Sequence, residues 1–289
     1  MRIAFLANRD IQSNFALNIL TNKLSHHSIA IYLSDSVGKK SSDLTELNQL
    51  RFIEQTLFND TVLPAIEKSL PALERFLTFH ELGDQTGNEV ISLNEINSIN
   101  GQEKLQSSDP DLIISIRHDP IIQSAVIAIP RFGILNLHSV ILPQYRGVMA
   151  TFWAMLNSDK HVGCTLHYII DGTIDTGPIV SIYQKKRNAK TDYFTNVIGL
   201  YPSGCELIIK TVKIIESGES LEQKEVKGES DYYTFPQEEE LIRFKQKGCE
   251  LFYQASLINF VASCNSFLIK PDPSVFGFVY VVLKISFGN

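Results

Sequence analysis

The chain has 289 residues, of which 44% are hydrophobic and 20% are charged, and its formal net charge is −6. This is an ordinary globular composition, and the length suits one large domain or one domain with an appendage. The acidic balance argues against nucleic-acid binding, which usually needs a basic face, although it does not exclude a local basic patch. The four cysteines form no Cys-x-x-Cys pair and have no accompanying histidine cluster, so neither disulfides nor a metal site is expected.

The sequence offers no membrane or export signal. The first ten residues, MRIAFLANRD, contain only a short apolar run before charge returns, unlike a signal peptide. The longest uninterrupted apolar run, residues 278–283, is far too short to span a bilayer. A cytoplasmic location without a membrane partner is therefore expected.

The N-terminal part predicts a βαβ unit, which implies a parallel sheet. Its elements follow from apolar runs and helical spacing: a strand at 2–7, a helix at 11–24 and a strand at 28–33. Residues 42–81 are mostly helical in pattern, and Pro64 and Pro71 are expected to break that region into shorter helices.

The alternation of strands and helices continues towards residue 216. The expected elements are strands at 110–116, 133–138, 162–169 and 178–184, and helices at 121–129, 151–157 and 191–216, the last interrupted at 202–204. These elements predict an α/β fold, a Rossmann-like, mostly parallel sheet with flanking helices.

The character of the chain changes after residue 216, where a charged stretch precedes a predicted short helix at 238–247. Residues 254–289 are apolar, and within them only FVYVVLKI has a strand-like pattern. Two interpretations of this apolar tail stay open, a homodimer interface or a few strands that complete a small subdomain. The expected organisation is a main domain at 1–216 and a short C-terminal extension at 217–289.

The usual nucleotide and hydrolase motifs are missing. No two glycines lie two residues apart, which excludes G-x-G-x-x-G, and there is neither a G-x-S-x-G elbow nor an H-E-x-x-H pair. Gly172 and Gly177 have the spacing of a phosphate-binding loop, but Pro178 stands where a lysine is required. The sheet should still form a crevice at the carboxyl ends of its strands.

Three polar residues remain as candidates for chemistry in that crevice. Asn136 and His138, in LNLHSVILPQYRG, are two apart on a strand and therefore point to the same side. Asp175 lies in the loop IIDGTIDTGPIV between two strands, and it faces the imidazole if those strands neighbour the first. A carboxylate beside histidine tunes its pKa, and imidazolium and amide groups can donate to the oxyanion of a tetrahedral intermediate. This chemistry suits acyl transfer to an amine that attacks directly.

The two segments that carry these residues resemble the formyltransferases that use 10-formyltetrahydrofolate. LNLHSVILPQYRG resembles their N-x-H-x-S-x-L-P signature and the basic-Gly step that follows, and GCTLHYIIDGTIDTGPIV resembles the loop that closes over the pterin. The resemblance is close over 110–185 and looser over 1–110. It implies a formyltransferase fold, a catalytic domain at 1–216, and Asn136, His138 and Asp175 as the catalytic residues.

The resemblance also suggests which residues hold the two substrates. Contacts with the folate co-substrate are expected from the segments around the pterin position, namely Arg117, His118, Asp119, Ile121, Ile122, Asp171 and Thr173. Contacts with the acceptor are expected from residues at the end of the first strand and after the signature, namely Asn8, Arg9, Asp10 and Arg146. Helix capping is the competing interpretation for the first three, and fixing of a loop is the competing interpretation for Arg146.

The favoured acceptor is an amino-sugar nucleotide or another small amine, with methionyl-tRNA as the alternative. Only about seventy residues follow residue 216, and the chain is acidic, both of which weaken the tRNA hypothesis. Tyr232, Tyr233 and Phe235 could stack against a nucleotide base. A formyltetrahydrofolate hydrolase and a non-catalytic binding protein on the same fold stay open as further alternatives.

Overall fold

The computed structural model describes residues 1–35, 44–69, 71–72, 75–226 and 231–264, so the predicted strand FVYVVLKI lies outside the described residues. The strands within these ranges are β1 Arg2–Asn8, β2 Ser28–Ser34, β3 Ile91–Ser92, β4 Leu112–Ile116, β5 Ile134–His138, β6 Arg146–Gly147, β7 His161–Ile169, β8 Ile179–Lys186 and β9 Tyr232–Tyr233. The α-helices are α1 Ile11–Lys23, α2 Thr45–Arg51, α3 Leu63–Ser69, α4 Phe79–Thr86, α5 Ile99–Gln106, α6 Ser124–Ile127, α7 Ala150–Leu156, α8 Tyr193–Ile198, α9 Tyr201–Ser217, α10 Glu238–Gln246 and α11 Gln254–Cys264.

A seven-stranded sheet forms the centre, in the order β3-β2-β1-β4-β5-β7-β8. The strands from β3 to β5 are parallel, whereas β7 and β8 run antiparallel. Apolar side chains are buried on both faces of β1 and β4, because helices cover the sheet on each side. The predicted α/β fold with a mostly parallel sheet is confirmed.

The helical region after β2 differs from the prediction at Pro64. A π-helix at Phe52–Val62 joins α2 to α3, so the chain stays helical through the proline. Pro64 has no N–H to donate, and its ring would crowd the carbonyl one turn earlier in a regular α-helix. The wider π-helical turns immediately before it relieve that conflict, which explains why the helix is not broken there.

One further helix prediction needs correction, and one helix was not predicted. The interruption of the 191–216 helix lies at residues 199–200, because Pro202 is in the first turn of α9, where a missing N–H costs nothing. Residues 254–264, for which the sequence has no clear periodicity, form α11.

The segment after residue 231 packs on the main sheet layer. β9 pairs in parallel with β6, and Phe244 of α10 stacks on Phe152 of α7 with 4.4 Å between the ring centroids. Of the helices in the described ranges, none has the length and apolarity needed to cross a membrane.

Candidate active site

A cavity of about 750 Å³ opens where β1, β4 and β5 end, beside the loop between β7 and β8. This is the crevice that the topology predicts, since the carboxyl ends of parallel strands meet at one edge. Most of the site residues predicted from the sequence line it, namely Asn8, Arg117, His118, Asp119, Ile121, Ile122, Asn136, His138, Asp171, Thr173 and Asp175. Arg9, Asp10 and Arg146 are not among the residues that line it.

Four polar side chains meet at the floor of this cavity. Nε2 of His138 lies 3.4 Å from Oδ2 of Asp175, and Nε2 of His167 lies 3.5 Å from Oδ1 of the same carboxylate. The amide Nδ2 of Asn136 is 3.1 Å from Nε2 of His167. Nδ1 of His167 lies 3.0 Å from the carbonyl oxygen of Tyr168, so a proton on Nδ1 donates there and leaves Nε2 to accept from Asn136.

The electrostatics of this cluster favour a neutral imidazole beside an ionised carboxylate. Burial lowers the pKa of His138 below its ordinary 6.5, and the nearby His167 adds to the lowering, while Asp175 opposes it. Burial alone would raise the pKa of Asp175, but His138 and the backbone N–H of Gly147 hold it well below its ordinary value. Among the described residues, none makes a hydrogen bond to the buried Nε2 of His138.

Backbone geometry holds Asp175 in place. Its φ is +56°, in the left-handed region that aspartate tolerates better than most residues. Its Oδ2 accepts the N–H of Gly147 at 2.9 Å. Gly147 has a φ of +102°, and a Cβ there would lie 2.2 Å from the carbonyl oxygen of Tyr233. Only glycine therefore fits at the position that anchors the carboxylate.

A buried ion-pair network lies at one end of the cavity. Arg117 donates from Nε to Asp10 at 2.8 Å and from Nη2 to Glu54 at 3.2 Å. Asp10 is fully buried and also caps α1 by accepting the N–H of Ser13. The structure thus gives Asp10 the helix-capping position that competed with acceptor binding. Burial raises the pKa of Glu54, against the attraction of Arg117.

Two other cavity residues present buried, unpaired polar atoms. Oδ1 of Asn8, at the end of β1, has no hydrogen-bond partner among the described residues. Both ring nitrogens of His118 are likewise buried without a side-chain hydrogen bond, and burial lowers its pKa to about 4. Buried polar atoms of this kind are costly unless a ligand pairs with them.

The remaining predicted contacts lie on the cavity rim. Asp119 and Ile121 are exposed, while Ile122 is buried beneath them. In the loop after β7, Asp171 accepts the backbone N–H of Thr173 at 2.8 Å, which shapes a tight turn. These residues give the cavity a part-apolar lining beside its four polar side chains.

The last two predicted residues, Arg9 and Arg146, do not line the cavity themselves. Arg9 forms an ion pair with Asp35 at 2.8 Å. Arg146 lies in β6, in register with Tyr232 of β9. Tyr232 lines the cavity, whereas the ring of Tyr233 packs 4.8 Å from that of Trp153.

Sequence reasoning missed His167, Tyr193 and Tyr201, which also line the cavity. His167 pairs with Asn136 in the register of β5 and β7, so its role depends on which strands are neighbours. The two tyrosines lie on α8 and α9, and their apolar surroundings in the sequence indicate ordinary core positions. A lone histidine within GCTLHYI was the only available signal.

Comparison with known proteins finds a family match for part of the chain. Residues 84–195 match the family described as formyl transferase. The methionyl-tRNA formyltransferase of Thermodesulfovibrio yellowstonii is 35% identical over 116 residues, which cover 40% of this chain and 37% of that protein. That of Fusobacterium nucleatum is 25% identical over 177 residues, covering 60% and 53% respectively. The chain therefore spans between about a third and half of the length of these relatives.

Solved structures agree in fold. A sugar N-formyltransferase from a Shewanella species superposes with a TM-score of 0.53 at 14% identity, covering 86% of this chain and 88% of that one. Glycinamide ribonucleotide transformylase 1 from Symbiobacterium toebii gives 0.54 at 15% identity, covering 78% and 94%. The matched segment thus resembles the formyl transferase family, and the fold of the chain agrees with that of these solved formyltransferases.

Proposed function

We propose that the protein transfers a formyl group from 10-formyltetrahydrofolate to a primary amine. The observation that carries the proposal is the cluster of Asn136, His138 and Asp175 at the closed end of one cavity, inside the segment that matches the family. A neutral imidazole with a buried, unbonded Nε2 is suited to accept a proton, and the adjacent carboxylate is suited to stabilise the imidazolium that results.

The proposed reaction needs no nucleophilic side chain. The amine nitrogen attacks the formyl carbon and forms a tetrahedral intermediate, while His138 accepts the proton that the nitrogen loses. The amide of Asn136 has a second N–H beyond the one directed at His167, and this donates to the developing oxyanion. His138 then returns its proton to the folate nitrogen as the bond from that nitrogen to the formyl carbon breaks.

The proposed positions of the folate and of the acceptor follow from the residues that line the cavity. The rim residues Ile121, Ile122, Asp171 and Thr173 hold the folate, with His118 and Asp119 beside them. The acceptor enters at the end of β1, where Oδ1 of Asn8 offers a hydrogen-bond acceptor to its N–H or O–H groups. The residues Arg9, Asp10, Arg117 and Arg146 shape these walls through their protein partners.

The proposed acceptor is an amino-sugar nucleotide or another small amine. Tyr232 and Phe235 line the cavity and could stack against a base, and solved structures of the same fold include sugar N-formyltransferases. Methionyl-tRNA is the second candidate, because the relatives from Thermodesulfovibrio yellowstonii and Fusobacterium nucleatum are methionyl-tRNA formyltransferases. The net charge of −6 favours the small amine.

The proposal is tested by release of tetrahydrofolate from 10-formyltetrahydrofolate in the presence of single amines. The panel holds amino-sugar nucleotides, methionyl-tRNA, glycinamide ribonucleotide and a sample without amine. Release with one acceptor class supports a transferase and names that class. Equal release without amine indicates a hydrolase, and folate binding without release indicates a binding protein.

His138→Ala should bind folate but lose transfer, and wild-type turnover in that variant would contradict the mechanism.

A further inference from the structure

A second cluster of ligand-type side chains lies far from the cavity, where two helices end. His26 and His27 follow α1 directly and precede β2, and Glu216 is in the last turn of α9. Nε2 of His26 lies 3.8 Å from one carboxylate oxygen of Glu216, and Nδ1 of His27 lies 3.8 Å from the other. The three ligand atoms all lie within 4.8 Å of one another.

These separations suit a shared metal ion better than direct hydrogen bonds. At 3.8 Å, neither nitrogen is close enough to the carboxylate for an ordinary N–H···O bond, which is about 2.9 Å long. Two ligands at about 2.0–2.1 Å from a tetrahedral ion are about 3.3–3.4 Å apart. A small inward movement of the exposed side chains of His26 and Glu216 would therefore close the site, while the imidazole of His27 is buried and already fixed.

The surroundings of the cluster also favour a cation. α1 and α9 pack side by side and both end here, so the negative ends of two helix dipoles lie at the site. The amino group of Met1 lies 3.2 Å from Nδ1 of His27, and a metal ion would displace it from that nitrogen.

We propose that His26, His27 and Glu216 bind a divalent transition-metal ion of the zinc class. Two imidazoles and one carboxylate form a ligand set typical of Zn²⁺, with Co²⁺ and Ni²⁺ as related ions, and a fourth position is left for water. The ion ties the end of α1 to the end of α9, which flank the same face of the sheet. This site is independent of the proposed formyl transfer.

The test is a metal titration of the full chain, purified without a polyhistidine tag and freed of metal by a chelator. Co²⁺ absorption reports the geometry, and competition with Zn²⁺ gives that ion's affinity. One ion per chain is expected. His26→Ala and Glu216→Gln should each weaken binding at least about tenfold, since even loss of an outer-shell partner costs that much. His80→Ala, which removes a histidine with an 84% exposed side chain elsewhere on the surface, is the matched control and should bind like wild type.

A second measurement separates ligation from nonspecific binding. Saturating Zn²⁺ should raise Tm of the wild type and of His80→Ala, but not of His26→Ala, because only a site formed in the folded state stabilises it. His26 and Glu216 are both partly exposed, so neither substitution should prevent folding. Absence of Co²⁺ binding to the wild type at millimolar metal, or unchanged affinity in both site variants, would overturn the proposal.

Discussion

Replacing Asp175 by Asn removes the charge beside His138 while keeping the shape of the side chain. The amide oxygen can still accept the N–H of Gly147, so the loop should hold its position. Asp175 raises the pKa of His138, although burial and His167 leave that pKa below 6.5 overall. Removing the carboxylate should therefore lower the pKa of His138 further. The variant then has a weaker base, and its imidazolium has no adjacent negative charge.

The size of the effect follows from the separation of the two groups. A unit charge 3.4 Å away contributes about 1 kcal/mol in bulk water and about 5 kcal/mol at an effective dielectric constant of about 20. Loss of this interaction should lower the pKa of His138. Both side chains are largely buried, which favours the upper part of this range. Loss of a well-matched general base should lower kcat/KM by about 10²-fold or more.

Two measurements check this prediction. Isotope-labelled histidine gives one Cε1–H NMR signal for each of the seven histidines, and the signal missing in His138→Gln identifies His138. Its titration is then followed in the wild type and in Asp175→Asn, alongside tetrahydrofolate release. An unchanged or higher pKa in the variant, or wild-type turnover, would refute the proposed pairing of carboxylate and imidazole.

The remaining predictions concern stability. Gly147→Ala should lower both Tm and formyl transfer, because its Cβ would lie 2.2 Å from a backbone oxygen of β9; an unchanged thermal melt would contradict this. Arg117→Leu should cost about 3–5 kcal/mol of unfolding free energy at pH 7 by leaving buried acids unpaired. This loss should shrink as pH falls, because burial raises the pKa of Glu54 and protonation removes its unpaired charge; urea titrations at several pH values measure the trend. Glu81→Gln should cost stability only where Glu81 is ionised. The hydrogen bond from Arg75 is the main reason that the pKa of Glu81 in the folded state is about 2. The loss of unfolding free energy should therefore be constant above the ordinary pKa of 4.5 and should vanish as pH falls through 2. Unfolding measured across that pH range tests this.

Local patterns predicted most of the sheet because its strands are continuous apolar runs. In β5 the alternation is also visible: Leu135 and Leu137 are buried, whereas Asn136 and His138 face the cavity. Contacts between distant segments were not predictable in the same way. Arg117 meets an acid 107 residues earlier in the chain and another 63 residues earlier, and no local periodicity records either pairing.

His167 shows where sequence reasoning stops at the candidate site. Its strand was predicted correctly, but a single histidine between apolar neighbours is more often a satisfied core residue than a functional one. His167 lies beside Asn136 because β7 pairs with β5 in the antiparallel direction. The sequence does not show that the strand direction reverses at this point of the sheet. Once that register is known, the hydrogen bond from Asn136 and the carbonyl contact at Nδ1 follow from geometry alone. The polar residues of this site could thus be identified from the sequence one by one, whereas the residue that orients them required the strand order.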